Sequence, residues 1–138
     1  MSEKIKVVQS SGKRKAAIAR AVLRYPAKGQ ININRVPLEL YEPEIQRERI
    51  KEVLIVANNE KLDKCDIIIK VKGGGKMGQT EAVRIAIAKA IQKFIKTKTL
   101  ERTFREYDDS LLSGDSRRVE PKKFGGKKAR ARRQKSFR

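Results

Sequence analysis

The stretch Asp66–Lys96 reads DIIIKVKGGGKMGQTEAVRIAIAKAIQKFIK, and it decides the fold. Its first seven residues are rich in β-branched side chains and are closed by a glycine run, which predicts a strand, central in its sheet. Gly73-Gly74-Gly75-Lys76-Met77-Gly78 breaks that strand. Thr80 suits a helix N-cap and Glu81 the first turn of a helix that runs to Lys96. Val83, Ile87, Ile91 and Phe94 line one stripe of it, widened by Ala86, Ala90 and Ile95. Arg84, Lys89, Gln92, Lys93 and Lys96 face elsewhere. The apolar stripe is core.

Upstream, Glu42-Pro43-Glu44 opens another helix, with proline near the first turn and acids at the positive end of the dipole. Ile50, Val53, Leu54 and Ala57 recur at helical spacing, and Asn58-Asn59 supplies the stop. Ile5–Val8 reads as a short strand, and Ser10–Lys15 as a turn carrying three adjacent cations. The run from Ala16 to Pro26, AAIARAVLRYP, fits an alanine-rich helix and also the two-residue alternation of a strand. Pro26 and Gly29 end it as a hairpin would, and Gln30–Asn34 alternates cleanly, so the two are assigned as a hairpin. Leu100–Tyr107 makes a further short helix, and after Asp108-Asp109 the pattern dissolves. The class is α+β, a small two-layer sheet-and-helix body over residues 1–107 with an extended basic tail over 108–138.

That tail carries the charge. Arg117–Arg138 holds eleven Lys or Arg and one acid, Glu120, a net of +10 within a chain total of +19. Such a segment cannot offset its own chain entropy by folding; a polyanion must order it, and nucleic acid is the obvious one. Residues 1–116 hold 24 bases and 15 acids, a net of +9. A basic body with a more basic tail fits a wide phosphate footprint.

Composition narrows the rest. The chain has no histidine and one cysteine, Cys65. That excludes the usual zinc sites, an intramolecular disulfide and every histidine-activated nucleophile, so no catalytic residue, metal or cofactor is expected. A single cysteine fits a reducing, intracellular compartment. No apolar run approaches about 20 residues, so no membrane partner is expected.

The glycine loop imitates two nucleotide motifs. Gly73, Gly75 and Gly78 match G-x-G-x-x-G between a strand and a helix, but no second strand with a terminal acid follows. Gly73 and Gly78 have P-loop spacing, but Gln79-Thr80 replaces Lys-Ser/Thr. Two readings stay open for Gly73, Gly74, Gly75 and Gly78: backbone amides that approach a phosphate, with Lys76 beside them, or a tight turn that needs glycine.

Four stretches in order carry a resemblance: Gly12–Arg20 (GKRKAAIAR), Val71–Gly75 with Gly78-Gln79, Tyr107–Leu112 with Asp115–Gly126 (DSRRVEPKKFGG), and Ala129–Arg138 (ARARRQKSFR). Together they resemble the ninth small-subunit ribosomal protein family, in its archaeal and eukaryotic branch. The resemblance implies a cytoplasmic, non-enzymatic component of the small ribosomal subunit. It implies a fold of the ribosomal protein five domain-two type, with an uncommon left-handed β-α-β crossover. Its partners would be the rRNA of the subunit head (the 3′ major domain), neighbouring head proteins and the peptidyl-site tRNA. Position by position, it implies rRNA contacts for Lys13, Arg14 and Lys15 on the body. Along the tail it implies rRNA contacts for Arg117, Arg118, Lys122, Lys123, Lys127, Lys128, Arg130, Arg132 and Arg133. Lys135, Ser136, Phe137 and Arg138 would reach the tRNA. Lys127-Lys128 departs from the family's usual glycine-proline sequence there. Phe124 and Phe137 remain open between stacking on nucleic acid and anchoring on protein. A free-standing nucleic-acid-binding or chaperone-like protein explains the charge equally well, and a phosphoryl-transfer enzyme built on the glycine loop is disfavoured by its missing Lys-Ser/Thr.

Overall fold

The computed structural model describes residues 4–136. In chain order the elements are β1 (Lys6–Arg14), β2 (Ala17–Tyr25), β3 (Ile31–Ile33), β4 (Val36–Pro37), α1 (Glu44–Ala57), β5 (Asp66–Lys72), α2 (Lys76–Ile95), α3 (Lys98–Tyr107) and α4 (Ser110–Ser113). Short 3-10 turns precede α1 and β5. The strands form one sheet in the order β1-β2-β5-β3-β4, antiparallel except that β3 and β5 run parallel. Asp66–Lys72 is the central strand, as its composition predicts.

α2 packs across β1, β2 and β5, and α1 and α3 pack beside it. The strands facing it alternate strictly. Ser10 and Gly12 of β1, Ala17, Ala19, Ala21 and Leu23 of β2, and Ile67, Ile69 and Val71 of β5 are all buried. The α2 face toward the sheet is built from Val83, Ala86, Ile87, Ala90 and Ile91. Small residues on both sides let the two layers approach closely. A Cβ added at Gly12 would collide with the backbone carbonyl of Ala82 and lie 2.6 Å from the amide of Ala86. Ser10 Oγ donates to the carbonyl of Ala86 at 2.6 Å, so even the polar side chain at this contact is satisfied.

The hairpin lies elsewhere than the sequence pattern predicts. Ser10–Arg14 is strand, not turn, and β1 pairs with β2 through a two-residue turn at Lys15-Ala16, with Lys15 at φ 54°. Polar composition hid the strand, because its inward positions are serine and glycine chosen for the helix approach. β3 does not pair with β2. The chain after Tyr25 is drawn toward β5, with the Ala27 amide donating to the Lys64 carbonyl, and β3 joins β5 in parallel. α2 also begins a turn earlier than predicted. Gly75, in extended conformation, is its N-cap, while Thr80 is fully buried one turn inside with Oγ1 donating to the Lys76 carbonyl at 3.0 Å. α1 ends at Asn58 in the left-handed region, as predicted. Beyond residue 107, α4 returns Leu111 to the core before the chain leaves the body.

Cys65 is 1% exposed, and its thiol donates to the Lys61 carbonyl. Burial, followed by the charge of Asp66, pushes its pKa up to about 11. At pH 8 roughly one thiol in a thousand is then ionised. Iodoacetamide should leave Cys65 unmodified in the native protein and modify it fully in denaturant; fast native labelling would contradict this packing. Gly12→Ala should cost about 1–3 kcal/mol through overpacking against α2. Gly75→Ala, which meets nothing within 4 Å, should cost less than about 1 kcal/mol. Urea midpoints followed by circular dichroism check the pair.

Candidate nucleic-acid interface

The tail leaves the body at a cleft of about 660 Å³ between the β1–β2 turn, α1 and the start of α2. The cleft is rich in cations, yet acids occupy most of them. Arg84, expected on the outer side of α2, is buried here, with its guanidinium 3.0 Å from Glu81 and 3.6 Å from Glu52. Arg49 shares Glu81 at 3.0 Å. Tyr107 donates to Glu52 at 2.8 Å, and this bond to a carboxylate raises the phenol's pKa. Arg84 is buried because α1 and α3 both pack on α2, so the helix has little free side left.

The root of the tail is tied by one carboxylate. Asp115 forms an isolated bridge with Arg14 and lies 3.4 Å from its guanidinium. Arg117 forks the same carboxylate, at 2.7 Å from Nη2 and 3.1 Å from Nε, and its own amide donates to Oδ1 at 3.0 Å. Arg14 Nη1 donates to the Arg117 carbonyl. These bonds from Arg117 hold the Asp115 carboxyl far below the usual carboxylate range. Arg14 is thereby half-buried and engaged, whereas Lys13 and Lys15 beside it are exposed.

The glycine loop has a structural reason for two of its members. Gly73 and Gly74 sit at φ 80° and 64° against the β1–β2 turn, where an added Cβ would lie 2.6 Å from the Ala16 carbonyl and 2.9 Å from the Ala17 amide. Gly75 faces open space, and Gly78 lies inside α2. Lys76 is exposed at the helix start.

From Ser116 to Ser136 the chain forms no helix or strand, and Arg118, Lys122, Lys123, Lys127, Lys128, Arg132, Arg133, Lys135 and Ser136 are all exposed. The path is bent. Gly125 takes φ 93°, Gly126 packs against the Ala131 carbonyl, and Arg130 forks Glu120 at 2.8 and 3.0 Å. The sole acid of the segment thus closes a loop over residues 120–130. Phe124 at its tip is fully exposed and anchors on no protein. Phe137 and Arg138 lie outside the described residues.

Sequence reading missed one surface. All helices that pack on β1, β2 and β5 share one face, and the opposite face carries Arg20, Arg24, Arg35, Lys70 and Lys72. The signal was present as cations alternating with apolar residues along β2 and β5, but only the strand pairing shows that they converge.

Among the described residues no group of three or more His, Cys, Asp or Glu side chains is placed to hold a metal, and no helix is long and apolar enough to cross a membrane. The family described as ribosomal protein S9/S16 matches residues 12–138. The chain belongs to that family. It is 47% identical, over all of its 138 residues and 97% of the relative, to the small ribosomal subunit protein uS9 of Desulfurococcus amylolyticus. Membership makes it a ribosomal protein of the small subunit, in the cytoplasmic ribosome, and the relative places it with the archaeal type.

The Asp115 contact is open to direct test. Its folded-state pKa is depressed, so the contact contributes stability above the unfolded value near 3.8 and loses it as pH falls below that value. Carboxyl NMR of the folded protein should give Asp115 a midpoint well under 3.8. A midpoint at or above 3.8 would show that the fork does not form. Asp115→Asn should speed hydrogen exchange at the Arg117 amide while leaving the melting temperature within about 4 °C.

Proposed function

We infer that this chain is a structural constituent of the small subunit that binds rRNA in the head and extends its tail to the peptidyl-site tRNA. One observation carries this reading: ten net positive charges on Arg117–Arg138, on a segment with neither helix nor strand among its described residues. Beyond the Asp115 and Glu120 contacts, such a segment has a polyanion as its main source of further order. The body contacts in this reading are Lys13, Arg14, Lys15 and Lys76, with the α2 N-terminus and its glycines open to a phosphate. Arg14 would act while fixed by Asp115, so it presents a positioned rather than a mobile charge.

Along the tail, Arg117, Arg118, Lys122, Lys123, Lys127, Lys128, Arg130, Arg132 and Arg133 would line the rRNA path. Arginine suits its crowded end because the planar fork grips phosphate in two places and stacks on bases. Phe124, free of protein contact, is available for stacking. If about eight tail cations meet phosphates, log K falls against log salt with a slope of roughly −6. Lys135, Ser136, Phe137 and Arg138 would meet the tRNA anticodon stem-loop and retain it electrostatically. Neighbouring head proteins complete the setting. The finer fold type belongs to the same reading: the parallel pair β3 and β5, joined through α1, would cross over left-handed, against the usual rule.

Deleting Lys135–Arg138 tests the tail tip. Small subunits carrying the truncated chain should assemble normally but lose peptidyl-site tRNA affinity several-fold and maintain the reading frame less well. Unchanged tRNA affinity and frameshifting would remove the tRNA role and leave the rRNA role standing.

A further inference from the structure

We propose that the helix-free face of the sheet is a second RNA-binding surface, which grips the sugar–phosphate backbone through Arg20, Arg24, Arg35, Lys70 and Lys72. The proposal rests on the rRNA-binding reading and extends it from the tail and the β1–β2 turn to a rigid face of the body.

Strand register brings these residues together. Ile18 lies opposite Lys72; Arg20 lies opposite Lys70; Arg24 lies opposite Asp66. Five cations share the face with that single acid, whose Oδ1 already accepts from the Gln30 amide. Arg20 and Lys70 are like charges directly across a strand pair, an arrangement that destabilises a sheet. Among the described residues none of the five has a carboxylate within 4.0 Å. The cleft on the other side of the molecule is the opposite case, with its arginines matched by acids. Exposed cations held in fixed register form a preformed site for an external anion, and a phosphate between Arg20 and Lys70 would offset their repulsion.

The face is also shaped. A groove of about 660 Å³ runs over Ile18 and Ile68, walled by the β3–β4 turn. That turn is a two-residue hairpin loop, Asn34-Arg35, with φ 49° and 68°. Both central residues of such a loop take positive φ, and glycine is strongly preferred at the second. Asn34 fits, and its side chain bonds the Val71 amide and carbonyl at 2.9 and 3.0 Å, pinning the turn to β5. Arg35 sits in the left-handed region where glycine would be relaxed. Folding alone does not favour arginine there; an arginine fixed above a basic groove is what phosphate recognition needs. Ile18 and Ile68, between the cations, offer ribose an apolar floor.

The test uses the full chain and a transcript of the rRNA domain that forms the subunit head, with affinity measured across a salt series. Wild type should bind with a steep negative slope. Arg20→Gln/Lys70→Gln/Lys72→Gln should bind about tenfold or more weaker at 0.1 M salt, with a slope shallower by about 2 to 3. Arg35→Gly should flatten the slope by about 0.8 while its melting temperature stays equal or rises. This second variant keeps the test valid if the triple variant folds poorly. Should wild type itself bind weakly and without salt dependence, the rRNA-binding reading fails. Should wild type bind steeply and both variants match it, only the sheet-face proposal is overturned. Variants that bind the transcript like wild type but incorporate poorly into subunits would assign the face to an acidic protein neighbour and equally overturn the proposal.

Discussion

Everything in this molecule depends on how closely α2 lies against β1 and β2. The contact is made by small residues: Ser10 and Gly12 on one strand, Ala17, Ala19 and Ala21 on the next, and Ala82, Ala86 and Ala90 on the helix. Their shortness brings backbones rather than side chains into register, which leaves little tolerance for added volume. Close approach also fixes where the ends of these elements fall. The β1–β2 turn, the Gly73-Gly74 turn and the first turn of α2 meet at one rim, and the tail departs from the same rim through Asp115. The functional geometry is thus a consequence of small-residue packing many residues away in the sequence.

That dependence explains what the sequence disclosed and what it concealed. Regular amphipathic elements were legible. Ile50, Val53 and Ala57 in α1, Ile67, Ile69 and Val71 in β5, and Val83, Ile87 and Ile91 in α2 announce their buried faces through period and branching. β1 was not legible past Val8, because Ser10 and Gly12 look like loop residues unless the helix above them is known. Arg84 was misplaced because helical period identifies one apolar stripe but not a helix packed on several sides. The partner of β3 escaped because parallel pairing leaves no turn signal; a hairpin is the nearer guess whenever two alternating runs are separated by a proline and a glycine. Net charge was legible at once, but not which cations are already spent.

Cations in this chain fall into two populations. Arg14, Arg49, Arg84, Arg117 and Arg130 each have a carboxylate partner. Those pairs differ in consequence. Arg84 is buried between Glu81 and Glu52, and removing both acids would leave its charge without a carboxylate partner. Arg117 and Arg130 are 82% and 86% exposed, so their pairs with Asp115 and Glu120 are screened by water and weakly held. A phosphate can therefore take over either guanidinium at small loss. Asp115 and Glu120 give the tail root and the 120–130 loop a defined path without committing their arginines.

The two basic surfaces then face different thermodynamic terms. In the proposed complex the tail would be fixed along its RNA path at about 1–2 kcal/mol of backbone entropy per newly ordered residue, which would offset much of its phosphate attraction. What it gains is reach. The sheet face is ordered before any partner arrives, because backbone ladders hold Arg20, Lys70 and Lys72 and the Asn34–Val71 bonds fix the turn that carries Arg35. Preorganised charges lose little on binding, so each contact there contributes more net affinity than an equal contact on the tail. A preformed basic face and an irregular basic tail divide the same +19 charge by which part of the chain could build a core.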